Sequence, residues 1–516
     1  MKKFIYFLIL VLFVTSFNLF AQNGTRSIDY SAKTFGRGGV SIGFFDNTGL
    51  MMSNPAGLSF LEDDMIDVNA IVMLPVPHYK SFSKDANGNI TSTVLNDKDG
   101  ESNIFVLPSA SYVRKCKLPG LTLGLGFFTV GGMGADVMLT NQSLKDASGN
   151  PQEIEYHSRY AVMHGGLSAA YKFTEKFAVG FSAHVVYSTI EFINPFTLPP
   201  SVLRGVMDPG TGMTFGQYFS APRPQGLGYS ELTSGANMRD LTTFSFSPKV
   251  GFAYKFSDEF TLGYSFTAPV PLNYKEGKST LDMTSAFNDA FGRAVGNYMQ
   301  LNPGVTQQQA TQIIGAQFSA LGINSANGFI ADYNTDNEFE VPMSFGIGCK
   351  YAPMKELRFG VDIEWINWSN SADEMKLTLS NGNNSNVNRL LGYGGVNQAP
   401  LVVDFPLKWE DAVLFKFGAE YDISKKVTVR AGYAYGNNPI PANTINPVIP
   451  AVIENHVSAG ASFNVGRNFV INAAFEYGLN KDVTSSYSNL LGSEYYGSTT
   501  SLKNILGHIS FNYIFR

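Results

Sequence analysis

Residues 357-365 read Leu357-Arg358-Phe359-Gly360-Val361-Asp362-Ile363-Glu364-Trp365. Every odd position is apolar or aromatic and every even one is charged or glycine. A β-strand turns successive side chains to opposite faces, so this stretch offers one face to hydrocarbon and the other to a polar interior. Val413, Phe415, Phe417, Ala419 and Tyr421 split in the same way from Lys416, Gly418 and Glu420. So do Val427, Val429, Ala431, Tyr433 and Tyr435 from Thr428, Arg430 and Gly432. A soluble sandwich alternates too. Two features favour a membrane barrel: Phe and Tyr gather at the ends of the apolar parity, as in aromatic girdles, and the turns fall into two length classes.

Short turns recur at Lys117-Gly120, Thr174-Lys176, Ser257-Glu259, Pro353-Lys355, Ser424-Lys425 and Gly466-Asn468. Between them lie long polar connections, at about 83-101, 138-155, 194-240, 277-337, 371-408, 438-452 and 483-500. Seven long loops and six short turns join fourteen strands, an even number that returns the chain to the side of the short turns. The expected fold is therefore all-β, a 14-stranded antiparallel transmembrane β-barrel over residues 66-516. Its last strand, with Ile509, Phe511, Tyr513 and Phe515 on one parity, is similar to the terminal strand by which outer-membrane barrels are recognised, although Arg516 follows the aromatic.

Composition agrees. Of 516 residues 15% are charged, against about 25% in soluble globular chains, while glycine (51) and aromatics (13%) are plentiful. Lys2 and Lys3, an apolar run from Phe4 and the small Ala21 form a secretory signal, expected to be cleaved after residue 21 and to deliver the chain to the outer membrane of a Gram-negative cell. Past it no stretch of about 18 apolar residues offers a helical span. Net charge is -5, with no clustered cations for phosphates, so nucleic acid is not an expected partner. Cys116 and Cys349 stand far apart and are read as two free thiols.

Residues 35-61 hold a glycine-rich segment followed by Asn54-Pro55-Ala56. Here the chain resembles the FadL/TodX family of outer-membrane transporters of hydrophobic compounds, whose hatch motif this triplet matches. Further matches follow in family order: Val341-Pro342, the strand from Asp362 to Trp368-Ser369, Phe417-Gly418-Ala419-Glu420-Tyr421, Arg430-Ala431-Gly432-Tyr433-Ala434-Tyr435 with Pro439-Ile440-Pro441, and His456-Val457-Ser458-Ala459-Gly460. The resemblance implies a lumen filled by an N-terminal hatch, residues 22-65, and passive passage of a hydrophobic ligand that leaves sideways into the outer-membrane lipid. The glycines and small residues of 22-61, with little alternation, suit a segment threading a barrel.

The same resemblance places a lateral gate beside a kinked third strand. That strand is about Leu121-Val137 here, with Gly124, Gly126, Gly131, Gly132 and Gly134, and the gate is expected at Gly131, Gly132 and Gly134. The glycines also fit simple relief of crowding against the hatch. In the loop 277-337, Phe287, Phe291, Ile314, Phe318 and Leu321 fall at helical spacing on either side of Asn302-Pro303-Gly304, giving two amphipathic helices. Their stripes either pack on each other over the barrel mouth or form a groove that captures ligand.

No nucleophile elbow, His-Glu-x-x-His, phosphate loop or cysteine cluster is present, so enzyme activity is not expected, nor is a bound cofactor or metal. Among six histidines, His164 and His184 flank one short turn on the polar parity and read as inward cross-strand neighbours, a lumen pair rather than a haem or metal site. Asp362, Glu364, Glu420, Glu476, Lys249, Lys416, Arg358 and Arg430 are expected to face inward and to pair with one another and the hatch, with Arg430 as a partner for a ligand carboxylate. The leading reading is a passive transporter of long-chain fatty acids or aromatic hydrocarbons. A structural or secretion-accessory barrel with a protein partner, and a haem-uptake barrel, are the rivals.

Overall fold

The computed structural model describes residues 24-85, 88-101, 104-146, 148-487 and 492-515. The expected export signal lies outside them. Fourteen antiparallel strands close on themselves. They are β1 (Asp64–Lys84), β2 (Ile90–Asp99, resuming Phe105–Lys115), β3 (Leu121–Lys145), β4 (Pro151–Lys172), β5 (Phe177–Leu198), β6 (Leu232–Lys255) and β7 (Phe260–Thr267, resuming Val270–Asp282). There follow β8 (Ile330–Val341, resuming Ser344–Met354), β9 (Leu357–Ile366, resuming Glu374–Ser380), β10 (Leu401–Pro406, resuming Ala412–Ser424), β11 (Val427–Gly436), β12 (Asn455–Val465), β13 (Phe469–Thr484) and β14 (Thr499–Phe515). β1 pairs with β14 from Asp64↔Phe515 to Lys80↔Thr499, which removes both sheet edges.

The alternation decides the faces as expected. Leu125, Leu167, Val185, Phe244, Phe246 and Phe417 are exposed on the outer wall, while Asp362, Glu364, Lys416, Glu420 and Arg430 are buried inside. The short turns fall where the sequence places them. The long connections do not all follow. Residues 83-101 and 138-155 fold mostly as strand, with β1 and β2 paired as far as Lys84↔Ile90 and β3 and β4 as far as Lys145↔Pro151. Beyond the hydrocarbon both faces of a strand can be polar, so the parity signal fades although the backbone ladder continues.

The true loops build a cap over the mouth. Helices α1 (Thr284–Leu301) and α2 (Gln307–Ala320) form the expected pair, α2 starting with a capping box between Thr306 and Gln309. Their apolar stripes pack with Leu203, Phe215, Phe219, Leu390 and Leu391. The connection between β11 and β12, residues 437-454, instead folds inward, with Ile440, Ile445, Val448, Ile449, Val452 and Ile453 buried beside Trp409 and Leu502.

In the connection between β13 and β14, the Glu494 carboxylate accepts from Thr197 Oγ1 at 2.9 Å. Burial, with Glu231 nearby, pushes this carboxyl up to about 7 from its ordinary 4.5. A raised acid binds its proton more tightly in the folded chain, so this segment is stabilised at low pH and loses that stabilisation as pH rises through about 7. Limited proteolysis of the purified protein should cut the 492-498 segment faster at pH 8 than at pH 6, and Glu494→Gln should remove the difference.

Candidate functional site

The N-terminal segment, residues 24-63, fills the half of the lumen nearest the short turns, and β1 begins at Asp64. Its seat is Asn54-Pro55-Ala56. Pro55 opens a 3-10 turn to Phe60, a position where its missing N–H costs nothing. Asn54 Nδ2 donates to the carbonyls of Ile42 (2.8 Å) and of Phe252 on β6 (3.1 Å), and its Oδ1 accepts from Ala56 N (3.2 Å). The wall makes room: a Cβ at Gly251 would lie 2.1 Å from Asn54 Oδ1, and one at Gly180 2.2 Å from Ala56 N. Only glycine permits this approach.

Charge fastens the same segment. Arg37, fully buried, grips Asp46 with two bonds of 2.8 Å, gives Nε to the Val40 carbonyl (2.8 Å) and reaches Glu420 on β10 at 3.4 Å. Glu420 also accepts from Arg358 at 2.8 Å and from Arg430. Asp362 on β9 accepts from the backbone N–H groups of Ser41 (2.7 Å) and Ile42 (2.9 Å). Lys416 donates to the Ile28 carbonyl (2.8 Å), and Arg26 to Glu364 (2.8 Å). Most of the inward charges thus pair with one another or with the hatch, as their parity predicts; Glu476 pairs instead with His456 and His508, and Lys249 makes no ion pair among the described residues.

Above the hatch the inward face turns apolar. On β5, Ser182 and His184 give way on the same parity to Ile190 and Phe192. Two voids result. The outer one is lined by Phe196, Met238, Leu377, Phe405 and Val448, with the neutral Asn194, Asn237, Ser279 and Thr280. The inner one is lined by Thr25, Tyr160, Ile190, Phe339, Leu407 and Trp409. Phe192, Met375 and Ile449 line both. Neither lining holds a charged side chain.

The inner void reaches the hatch at Thr25, and there the wall is broken. Among the described residues, β2 and β3 pair only from Lys115↔Thr122 to Ser109↔Phe128. A bulge follows on β3 between Thr129 and Gly131, and the wall is joined again where Glu101 N donates to the Asp136 carbonyl (2.6 Å). Across the gap Arg26 forms a β-bridge with Gly131, and a Cβ at Gly131 would meet the Thr25 carbonyl at 2.4 Å. Gly134 lies against the Phe105 ring. The three glycines Gly131, Gly132 and Gly134 therefore fall on the unpaired stretch, and Gly131 also receives the hatch.

Other expected residues sit elsewhere. Arg430 is held by Glu420 and Ser462 near the short-turn end, away from both voids. Phe287, Ile314 and Phe318 are buried in the cap, Phe287 stacked on Phe329 at 3.7 Å and edge-on to Phe318 at 5.3 Å; Phe291 and Leu321 pack beside them. None of the five lines either of these two voids. His164 and His184 do meet inside the lumen, edge to face at 5.9 Å, but His164 makes no hydrogen bond among the described residues. Among the described residues the one converging set of three metal-capable groups is Asp136, Glu155 and His157 on the outer wall. The void-lining residues went unread in the sequence. The signal for those on β5 is the change of the inward parity from polar to apolar beyond His184.

The sequence profile of the outer membrane protein transport family OMPP1/FadL/TodX matches residues 20–515. The chain belongs to the FadL/TodX family. Its members are outer-membrane transport proteins, not enzymes, and this chain has their closed barrel. The Pseudomonas putida toluene transporter TodX superposes with a TM-score of 0.64 at 18% identity, over 96% of this chain and 100% of that one. A Pseudomonas aeruginosa FadL homologue gives 0.66 at 18%, over 96% and 100%. The Ralstonia pickettii toluene transporter TbuX gives 0.60 at 17%, over 95% and 99%. No curated protein matches the sequence.

Within this FadL/TodX hatch, Arg37→Met leaves Asp46 and Glu420 facing each other with a cation removed, a loss of about 3–5 kcal/mol for a buried pair. The barrel should still fold, shown by unchanged heat-modifiable migration in gels. Protease should reach the hatch from the short-turn side in the variant and not in the wild type.

Proposed function

We propose that this chain carries hydrophobic small molecules passively across the outer membrane and releases them sideways, between β2 and β3, into the lipid. The observation that carries this reading is the succession of two uncharged apolar voids that ends at Thr25, beside the unpaired stretch of β3. Apolar ligand gains by leaving water for such a lining, and it loses little on passing from it into hydrocarbon. A route that ends at lipid suits such cargo better than one that ends in water. No nucleotide site or coupling motif is legible in the sequence, and flux follows the ligand gradient.

The lining also ranks the two expected substrate classes. Moving an ionised carboxylate into an apolar space without a partner is costly. The outer void offers only amides and hydroxyls at Asn194, Asn237, Ser279 and Thr280, and Arg430 is already paired. Uncharged hydrocarbons, aromatic ones included, fit without further help and are the favoured cargo. Fatty acids rank second, and those that enter do so in the neutral form. The hatch triplet serves this cycle as the fixed seat about which the N-terminal end at Arg26 and Gly131 opens.

Two variants test the reading in cells that lack other uptake routes, with radiolabelled toluene. Gly134→Leu fills the break against Phe105, whose ring can move aside, and should slow uptake about tenfold, a barrier of ~1.4 kcal/mol. Replacing Asn54-Pro55-Ala56 with three glycines should leave a folded barrel that takes up toluene poorly, because the hatch loses its seat. Wild-type rates in both folded variants would refute sideways release under hatch control.

A further inference from the structure

The loop between β11 and β12 is the part of the cap that enters the lumen. Its base is tied to the wall: Glu410 N donates to the Pro439 carbonyl (2.8 Å), Thr444 Oγ1 to the Leu407 carbonyl (2.6 Å), and Ser486 N to the Ala442 carbonyl (2.9 Å). Its inner part is different. Val448 N and Ile449 N both donate to Asn446 Oδ1 at 3.1 Å, and Val452 N to the Pro450 carbonyl at 2.8 Å. Among the described residues, 447-452 hydrogen-bond only within the loop, and they touch the wall through apolar packing. Packing of this kind is non-directional and lets a segment shift without breaking a polar contact.

At the tip of that part stands Ile449. It lines both voids, and Phe192 of β5 and Met375 of β9 are the other two side chains that do. We propose that Ile449, Phe192 and Met375 form a selecting throat between the voids, with the 447-452 strap as its movable side, and that this throat sets the width of ligand that passes. Phe192 and Met375 sit on hydrogen-bonded strands, with Phe192↔Ser158 and Met375↔Phe405, and a register shift toward β6 falls between Ile190 and Phe192. The wall side of the throat is held by backbone ladders and the strap by apolar packing, so a wide ligand is admitted chiefly by displacing Ile449. The inference rests on the transport reading, because it names the specificity residues of that route.

Trp409 lines only the inner void, with Trp368 against it at 4.8 Å between ring centroids, and so reports arrival there. A brominated hydrocarbon that passes the throat quenches this pair by heavy-atom contact, and stopped-flow mixing of purified full-length protein in detergent gives the rate. Bromobenzene should quench wild-type protein quickly and 9-bromoanthracene slowly. Ile449→Ala should raise the 9-bromoanthracene rate about tenfold, the scale on which a hydrophobic pocket feels a lost methyl or two, and change the bromobenzene rate much less. Ile449→Val should move both rates in the same direction by less, which guards against a misfolded alanine variant. Val448→Ala, at a residue that lines the outer void only, should leave the ratio of rates unchanged.

An unchanged ratio in Ile449→Ala, or an equal change in Val448→Ala, overturns the throat while leaving transport standing. If bromobenzene fails to quench the wild type, the inner void is not on a ligand route. The transport reading then falls, and the throat falls with it.

Discussion

A chain that crosses hydrocarbon as strands must satisfy every backbone N–H and C=O within a closed ladder, and the rest of this structure depends on that requirement. Closure of β1 on β14 over the span from Asp64 to Lys80 meets it for most of the circumference. The requirement also gives meaning to the lapse of the ladder on β3, one of several among the described residues, since β6 and β7 are also unpaired between Thr267↔Lys249 and Lys275↔Thr242. Opposite the unpaired stretch of β3, the hatch supplies backbone of its own, with Ser27 N reaching the Val130 carbonyl at 3.4 Å and Arg26 bridging Gly131. The break is thus covered from inside by a segment that is not part of the wall.

Charge placement divides the lumen into two halves of different character. Near the short turns, buried carboxylates and guanidinium groups face one another at hydrogen-bond distance, an arrangement that is stable only when each charge has its partner. Above the hatch no ionised group lines the two apolar voids. Polar fastening and apolar voids are therefore separated along the barrel axis, and the voids share no side chain with the ion pairs that hold the hatch. Arg430 illustrates the division: its positive charge is used by Glu420 to fix the wall around Arg37.

Much of this was legible in the sequence because lipid imposes a two-residue period. Leu357 to Trp365 shows its outer face directly, and the short turns follow from where that period stops. Asn54-Pro55-Ala56 and the inward charges were legible too, since a charged residue on the interior parity has to meet another. Three things were not. The hairpins reaching Lys84 and Lys145 rise beyond the lipid, where polar residues occupy both faces and the period carries no signal. The stripe of Phe287 and Phe318 announces that something will cover it, but not that the 203-229 segment and Leu390 will. The voids depend on residues such as Phe192, Met375 and Ile449, brought together from three distant places in the chain, and no local pattern marks their meeting.

The hatch is fastened unevenly along its length, and that has a mechanical consequence. From Arg37 to Ala56 it is bound to the wall by Glu420, Asp362, Phe252 and the close-fitting glycines, whereas toward its N-terminal end it holds chiefly through Arg26, the Ile28 carbonyl and one bridge at Gly131. Such a body behaves as a cantilever clamped at one end. A pull or thermal kick applied near Thr25 bends the light end first, and the load meets stiff resistance only at Arg37. The compliant end of the lever is the end that lies across the break in the wall.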